Sequence, residues 1–303
     1  MRITQDGLTR QLVSRLQEQY SSLANVERQV STGLLIENPS EDPSRASNIL
    51  TASSAYKRGT QYLKNANSLF VQLQTTESAV QMTSELVSRS RASAIEGANS
   101  SVGQTGRDAI ANEINGEIEE LLRIANQRYG GRYLFGGSNA TDSPYTAVRD
   151  ENGEVTSVTP PDDGTSAPLE QNIEEGVRIA GSISPGDLFD LGENDDLFKA
   201  LIDARDALRS GDTDKLNDAL GRLEEGVDLT TSATSLVGTR ASAAQNTIER
   251  LTAAQLESEK RLSELSDADA VETMTRYTQE QAAYEMTLKV AARVIEPSLV
   301  DFL

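Results

Sequence analysis

The stretch Gly131-Arg132-Tyr133-Leu134-Phe135-Gly136-Gly137-Ser138 is one residue short of a phosphate-binding loop. That loop reads G-x-x-x-x-G-K-[ST], and its lysine reaches the β- and γ-phosphates. Here Gly137 stands where the lysine should be. The loop also needs a strand before the glycines and a helix after them. The pattern instead predicts a helix before and a turn, Ser138 to Pro144, after. All three requirements fail, so the glycines serve something other than a nucleotide. Paired carboxylates are the next candidates for chemistry. Asp162-Asp163 and Asp195-Asp196 could hold a cation, but in so acidic a chain the favoured reading is a solvated turn. Asp150-Glu151-Asn152-Gly153 resembles part of a calcium loop, yet its glycine is fourth where that loop needs it sixth. Asn139-Ala140-Thr141 matches an N-glycosylation acceptor, a three-residue match that arises often by chance. The 303 residues include neither His nor Cys. Ser-His-Asp and Cys-His nucleophiles, thiolate zinc sites and disulfides are therefore impossible. No catalytic, metal or cofactor-binding residue is assigned, and the chain reads as a non-enzyme without cofactors.

The charge narrows the partners. A formal net charge of -19 argues against nucleic acid, which needs a basic groove to displace counterions, and against an anionic membrane surface. Hydrophobic residues make up 37% of the chain and aromatic ones only 4%, with no Trp. That composition suits helices packed on helices through Leu, Ile, Val and Ala. The first twenty residues lack the apolar run and small-residue cleavage site of a secretory signal. No stretch approaches the roughly 18 apolar residues that span a bilayer.

Helical spacing organises both ends. Leu12, Leu16, Tyr20, Leu23, Val26 and Val30 fall three and four apart, predicting an amphipathic helix. Gly33, Pro39 and Pro43 interrupt it, and Asp42-Pro43 predicts an N-cap with proline in the first helical position. Ile49, Ala52, Tyr56, Gly59, Leu63, Ala66, Phe70 and Leu73 then follow the 3.5-residue repeat of a coiled-coil seam, continuing through Val80 and Val87. A break at 96–108 precedes a return helix, Ile110 to Ala125, ending near Tyr129. Residues 130–192 collect most of the prolines. They predict a hairpin over 145–159 and a strand over 176–183. Helix resumes at Leu197 with Asn194 or Asp195 as cap, turns at 210–216, and continues over 216–227 and 236–265. A last helix opens with Asp269 and Glu272 at capping-box spacing, carries Val271, Met274, Tyr277, Tyr284, Leu288, Ala291 and Ile295, and stops at Pro297. The architecture expected is mainly α: a long coiled-coil-like rod with its two ends paired and a small β-containing inserted domain.

Several blocks resemble the flagellin superfamily and, within it, the hook–filament junction proteins of bacterial flagella. Residues 31–46 (STGLLIENPSEDPSRA) are similar to the S-x-G-x-x-I-x-x-P-S-D-D-P-x-x-A segment, with Glu41 in place of the first Asp. Residues 126–145 (NQRYGGRYLFGGSNATDSPY) are similar to the junction proteins' N-x-x-x-x-G-x-Y-L-F-G-G…P-[FY] block. The segments ISPGDLFDL, ALRSGDTDKLNDAL and VGTRASAAQNTIERL resemble the end of the insertion and the two helices that follow. The resemblance implies a secreted structural protein of the flagellum, exported unfolded by the flagellar type III system without a cleaved signal peptide. It implies motility as the process, and assembly through terminal helices that order only on joining the axial structure. Residues 1–42 and 267–303 would form an inner assembly layer, 43–130 and 193–266 the surrounding helical rod, and 131–192 an outer β-rich domain. The implied partners are the first hook-associated protein, flagellin, further copies in a ring, and an export chaperone.

The assembly interface expected is therefore the two terminal stripes: Leu12, Leu16, Leu23, Val26 and Val30 at one end, and Met274, Tyr284, Leu288, Ile295, Leu299 and Phe302 at the other. The bland reading of the same residues is intrachain core. Two other functions compete. A short flagellin would build the filament itself, and a coiled-coil signalling protein would show unbroken heptads up to a tight tip.

Overall fold

The computed structural model describes residues 5–137, 143–161, 168–192 and 195–295. Its helices are α1 (Gln5–Thr32), α2 (Pro43–Ala98), α3 (Gln104–Ala125), α4 (Gly186–Phe189), α5 (Leu197–Ser210), α6 (Thr213–Ser266) and α7 (Ala270–Ile295). Between α3 and α5 lie antiparallel pairs of short strands. They are β1 (Arg128–Tyr129) with β2 (Arg132–Tyr133), β3 (Thr146–Arg149) with β4 (Val155–Thr159), β5 (Glu170–Glu174) with β6 (Val177–Ala180), and β7 (Asp190–Gly192) with β8 (Asp195–Asp196). The fold is mainly α with a small β-containing insertion, as the sequence predicts. Two compact units result: residues 1–60 with 253–303, and residues 61–252.

The core of the 61–252 unit is a pair of heptad seams. On α2 one buried seam runs through Ala66, Leu69, Leu73, Thr76, Val80, Thr83, Val87, Ser90 and Ala94, three and four apart throughout, with Ala79 and Leu86 buried beside it. The sequence spacing predicts Phe70 in this seam. Leu69 takes the position, and Phe70 is half-buried beside it. Polar members of the seam are satisfied: Thr76 and Thr83 donate to Gln72 O and Ala79 O at 3.0 Å, and Ser90 donates to the Glu117 carboxylate. A hydroxyl bonded this way can be buried without leaving an orphan group. On α6, Leu216, Ala219, Leu223, Gly226, Thr230, Ala233 and Val237 continue the same spacing. A second step of four to Ala241 is the stutter that resets a heptad, and α6 passes through it as one helix where the sequence suggests two segments.

Helix α5 sits in two glycine notches. A Cβ on Gly226 would lie 2.3 Å from Leu197 Cδ2, and one on Gly97 would lie 2.3 Å from Leu208 Cδ2. The two leucines near the ends of α5 thus occupy the space that any other residue would fill. Arg205, 3% exposed, completes the docking. Its guanidinium donates to Asn115 Oδ1 and Val155 O at 2.8 Å, tying α5 to α3 and β4.

Caps agree with the sequence at two helices and depart from it at two. Asp42 accepts from Arg45 N at 2.9 Å, and Asp269 accepts from Val271 N and Glu272 N. The cap of α5 is Asp196, which accepts from Lys199 N at 2.8 Å, not Asp195. Asp195 is drawn instead to Arg222 at 3.2 Å, and Asn194 is outside the described residues. These contacts also replace the solvated-turn reading of Asp195-Asp196 with two structural roles. Helix α3 ends at Ala125, earlier than Tyr129, because the Asn126 side chain leaves the helix to bind Tyr145. Strand β5 carries little β-propensity (Glu-Gln-Asn-Ile-Glu) and is not legible in the sequence; its pairing with β6 defines it.

Filling a notch tests this packing. Gly226→Val should lower the unfolding free energy by about 1–3 kcal/mol through overpacking against Leu197, outweighing valine's better helix propensity, as read from urea denaturation. An unchanged or raised midpoint would contradict the tight approach of α5.

Candidate assembly interface

Within the 1–60/253–303 unit, α1 and α7 form an antiparallel pair. Their connections cross in a short β-bridge: Leu35 N donates to Ser266 O, and Ala268 N donates to Gly33 O, both at 2.8 Å. Gln29 Nε2 ties the crossing to α1 through Leu35 O at 2.9 Å. Beyond this joint the pair has little core. Val26 is the one hydrophobic residue of α1 that is buried among those described, and Ala291 its counterpart on α7.

The α7 face turned inward is Thr273, Tyr277, Glu280, Tyr284, Thr287 and Ala291, again three and four apart. It is largely polar, and the apolar spacing finds only Tyr277, Tyr284 and Ala291 of it. On α1, Thr9, Leu12, Leu16, Gln19, Leu23 and Val26 are its match. Of the expected interface residues, the structure brings together Leu12, Leu16, Leu23, Val26 and Tyr284, half-buried or buried along the seam. It leaves others outward: Val30 is 41% exposed, Met274 53% and Leu288 42%. The Ile295 side chain, Leu299 and Phe302 lie outside what is described. Residues beyond the expected interface join this outward face, with Val13, Val271 and Met286 all exposed. Tyr20 and Tyr284 pack with ring centroids 6.0 Å apart. With Val13, Leu16 and Gln17 they line an open apolar groove.

The glycine-rich stretch has a different part in the 61–252 unit. Gly130 and Gly131, both at positive φ, make the tight turn between β1 and β2. Leu134 N then donates to Gln127 O at 2.9 Å, and Phe135 enters the core fully buried. Phe135 meets Phe189 edge-on at 5.4 Å, and Phe189 touches Tyr145 at 5.1 Å and Phe198 at 5.8 Å. The block's first and last residues close on each other. Asn126 Nδ2 donates to Tyr145 O at 2.9 Å, and Asn126 Oδ1 accepts from Tyr145 N at 3.1 Å and Ser143 Oγ at 2.9 Å. Of the two later glycines, Gly137 alone adopts positive φ.

Burial near this cluster perturbs two groups. The Tyr145 hydroxyl is pushed well above the ordinary phenol range by desolvation, with Asp196 and Asp190 adding to it. The Asp196 carboxyl is raised by desolvation first, partly offset by the Lys199 and Phe198 N–H groups it caps. Among the described residues no cluster of three or more potential ligands could hold a metal, and no helix is long and apolar enough to cross a membrane.

Comparison with known proteins fits these features. The family profile for the bacterial flagellin N-terminal helical region matches residues 3–140. Flagellar hook-associated protein 3 of Salmonella typhimurium is 24% identical over 306 residues, covering 95% of each chain. The chain is thus similar to the bacterial flagellin N-terminal region over residues 3–140 and to hook-associated protein 3 over 95% of its length. Flagellin C of Vibrio cholerae, another relative, is 31% identical over 148 residues, 48% of this chain and 37% of that one. The crystal structure of hook-associated protein 3 from Legionella pneumophila shares the fold at a TM-score of 0.63 and 13% identity, over 72% of this chain and 98% of that one. Val271, 79% exposed on α7, is the most exposed of the large hydrophobic residues described, while the aromatic cluster lies inside the 61–252 unit.

The raised Asp196 gives a pH signature. Because its folded pKa lies above the unfolded value, its contribution favours folding below the ordinary carboxylate range and is lost as pH rises through the folded pKa. Asp196→Asn keeps an N-cap without burying a charge. Its thermal midpoint should exceed that of the parent near neutrality, and the two should converge in acid. A lower midpoint at neutrality would mean that the charged cap outweighs its desolvation.

Proposed function

We propose that the protein is a structural adaptor of the bacterial flagellum. It joins the hook, through the first hook-associated protein, to the flagellin filament. The observation that carries this reading is the α1/α7 pair, whose apolar residues exceed what two helices can bury between them. Val271 is 79% exposed, and Tyr20, Met274, Met286 and Leu288 are exposed with it. Exposed apolar faces of this kind mark interaction surfaces. Neighbouring subunits would cover them, and their burial would offset the ordering entropy of ends exported unfolded.

On this reading 1–42 and 267–303 form the inner layer, 43–130 and 193–266 the helical layer around it, and 131–192 the outer part. The seams Leu12, Leu16, Leu23, Val26 and Val30, with Met274, Tyr284, Leu288, Ile295, Leu299 and Phe302, make the subunit contacts. Flagellin and further copies in a ring are the remaining structural partners, with a chaperone before export. The likeness to hook-associated protein 3 over 95% of the chain supports a junction role over a filament-building one, since the flagellin C match covers about half of it.

Deletion of the gene separates the two. Cells without the adaptor should retain hooks and release unpolymerised flagellin into the medium. Normal filaments on such cells would contradict the adaptor role, and loss of the dominant protein from sheared filaments would favour a flagellin.

A further inference from the structure

The 61–252 unit is strongly one-signed. It holds 31 acidic against 16 basic residues, a net -15 of the chain's -19. In such surroundings a basic side chain finds a carboxylate easily, and most do: Arg89, Arg149, Arg209, Arg222 and Arg250 all hold one. Among the described residues Lys64 and Arg178 are exposed without one, and the β1–β2 hairpin brings two such cations together on one turn. Its sequence is Arg128-Tyr129-Gly130-Gly131-Arg132-Tyr133, and its register sets Arg128 opposite Tyr133 and Tyr129 opposite Arg132. Arg128 stacks over the Tyr133 ring at 4.7 Å and donates to Gly131 O at 2.8 Å. Both arginines are exposed, and among the described residues neither meets a carboxylate. Arginine and tyrosine together, on a hairpin held rigid by its own contacts, have the composition of an interaction hot spot.

An unpaired surface of opposite sign exists in the same unit. Along α6, Asp214, Asp218, Glu225 and Asp228 are exposed. At 100° per residue they fall within about 40° of one line along the helix, and none of them is in an ion pair among the described residues. Within one chain the two surfaces share no ion pair among the described residues, and the start of α6 lies at the far end of α3 from the hairpin. Gln104 at the first turn of α3 bonds Leu208 O and Arg209 O, next to the turn that opens α6. The hairpin follows the other end of α3, 22 residues away, or about 30 Å.

We infer that the cationic hairpin of one copy docks on the acidic α6 stripe of a second copy. The two patches differ, so the contact is heterologous, the type that generates a closed ring or an open helix of subunits. This rests on the reading of the protein as a ring-forming adaptor. It adds a charge-based contact between copies that is separate from the apolar terminal helices.

Charge reversal in the full chain tests it. Sedimentation velocity at high protein concentration should show self-association that weakens at least tenfold as salt rises, because screening shortens the reach of the paired charges. Arg132→Glu should abolish it, and so should Asp218→Arg. The chain carrying both changes should recover it, since each altered patch again meets its opposite. Both positions are exposed, so circular dichroism should report an unchanged fold. Absence of association in the parent, association indifferent to Arg132→Glu, or failure of the double change to restore it would each overturn the inference. The adaptor reading would survive that result, because the gene deletion tests it without reference to this contact.

Discussion

A helix can bury one stripe against one partner, and most of this chain's stability follows from how many partners each stripe finds. In the 61–252 unit, the α2 and α6 seams are joined by α3, α5 and an aromatic cluster, and the core is extensive. Leu69, Leu73, Leu86, Ile114, Ile118 and Leu121 are all fully enclosed. In the other unit, α1 and α7 pack chiefly on each other among the described residues. The conformational cost of ordering a residue is of order 1–2 kcal/mol, and a pair that buries little more than Val26, Thr273 and Ala291 returns far less than its 54 helical residues demand. The imbalance leaves one unit with an extensive core and the other with little of its own.

The insertion obeys the same economy with different means. Its strands are two to five residues long and pair only two by two, too little for independent stability. What holds it is anchorage. Phe135, Tyr145, Phe189 and Phe198 gather aromatic area that the rest of the chain lacks, and Arg205 fixes Val155 of β4 from α5. The stretch that imitates a nucleotide loop is one side of that anchor. Its glycines make a hairpin turn, and Asn126 closes the block on Tyr145.

Periodicity makes the helices legible, because a sustained 3.5-residue apolar repeat matches a helical seam and no strand pattern. The caps Asp42 and Asp269, the hairpin around Gly153 and the turn at Gly211 are likewise local facts of the sequence. Sequence and structure part where tertiary contact overrides local signal. The true inner face of α7 is largely polar, so apolar spacing also points to Val271, Met274 and Leu288, which face outward. Asp196 caps α5 because Arg222, remote in sequence, holds Asp195. Helix α3 ends early because its last polar side chain has a partner nineteen residues on. Of the candidate interface, the α1 half lies mostly on its seam, and the described part of the α7 half is split between seam (Tyr284) and solvent (Met274 and Leu288).

Hydrogen exchange on the free, full-length chain measures the imbalance between the units most directly, since local opening free energies track buried contact. Amides of α1 and α7 should exchange at nearly the rate of an unstructured peptide, while those of α3 and α5 and of α2 and α6 within 61–252 are slowed by orders of magnitude. Equal protection of the terminal helices in the isolated monomer would contradict the claim that they lack a core of their own.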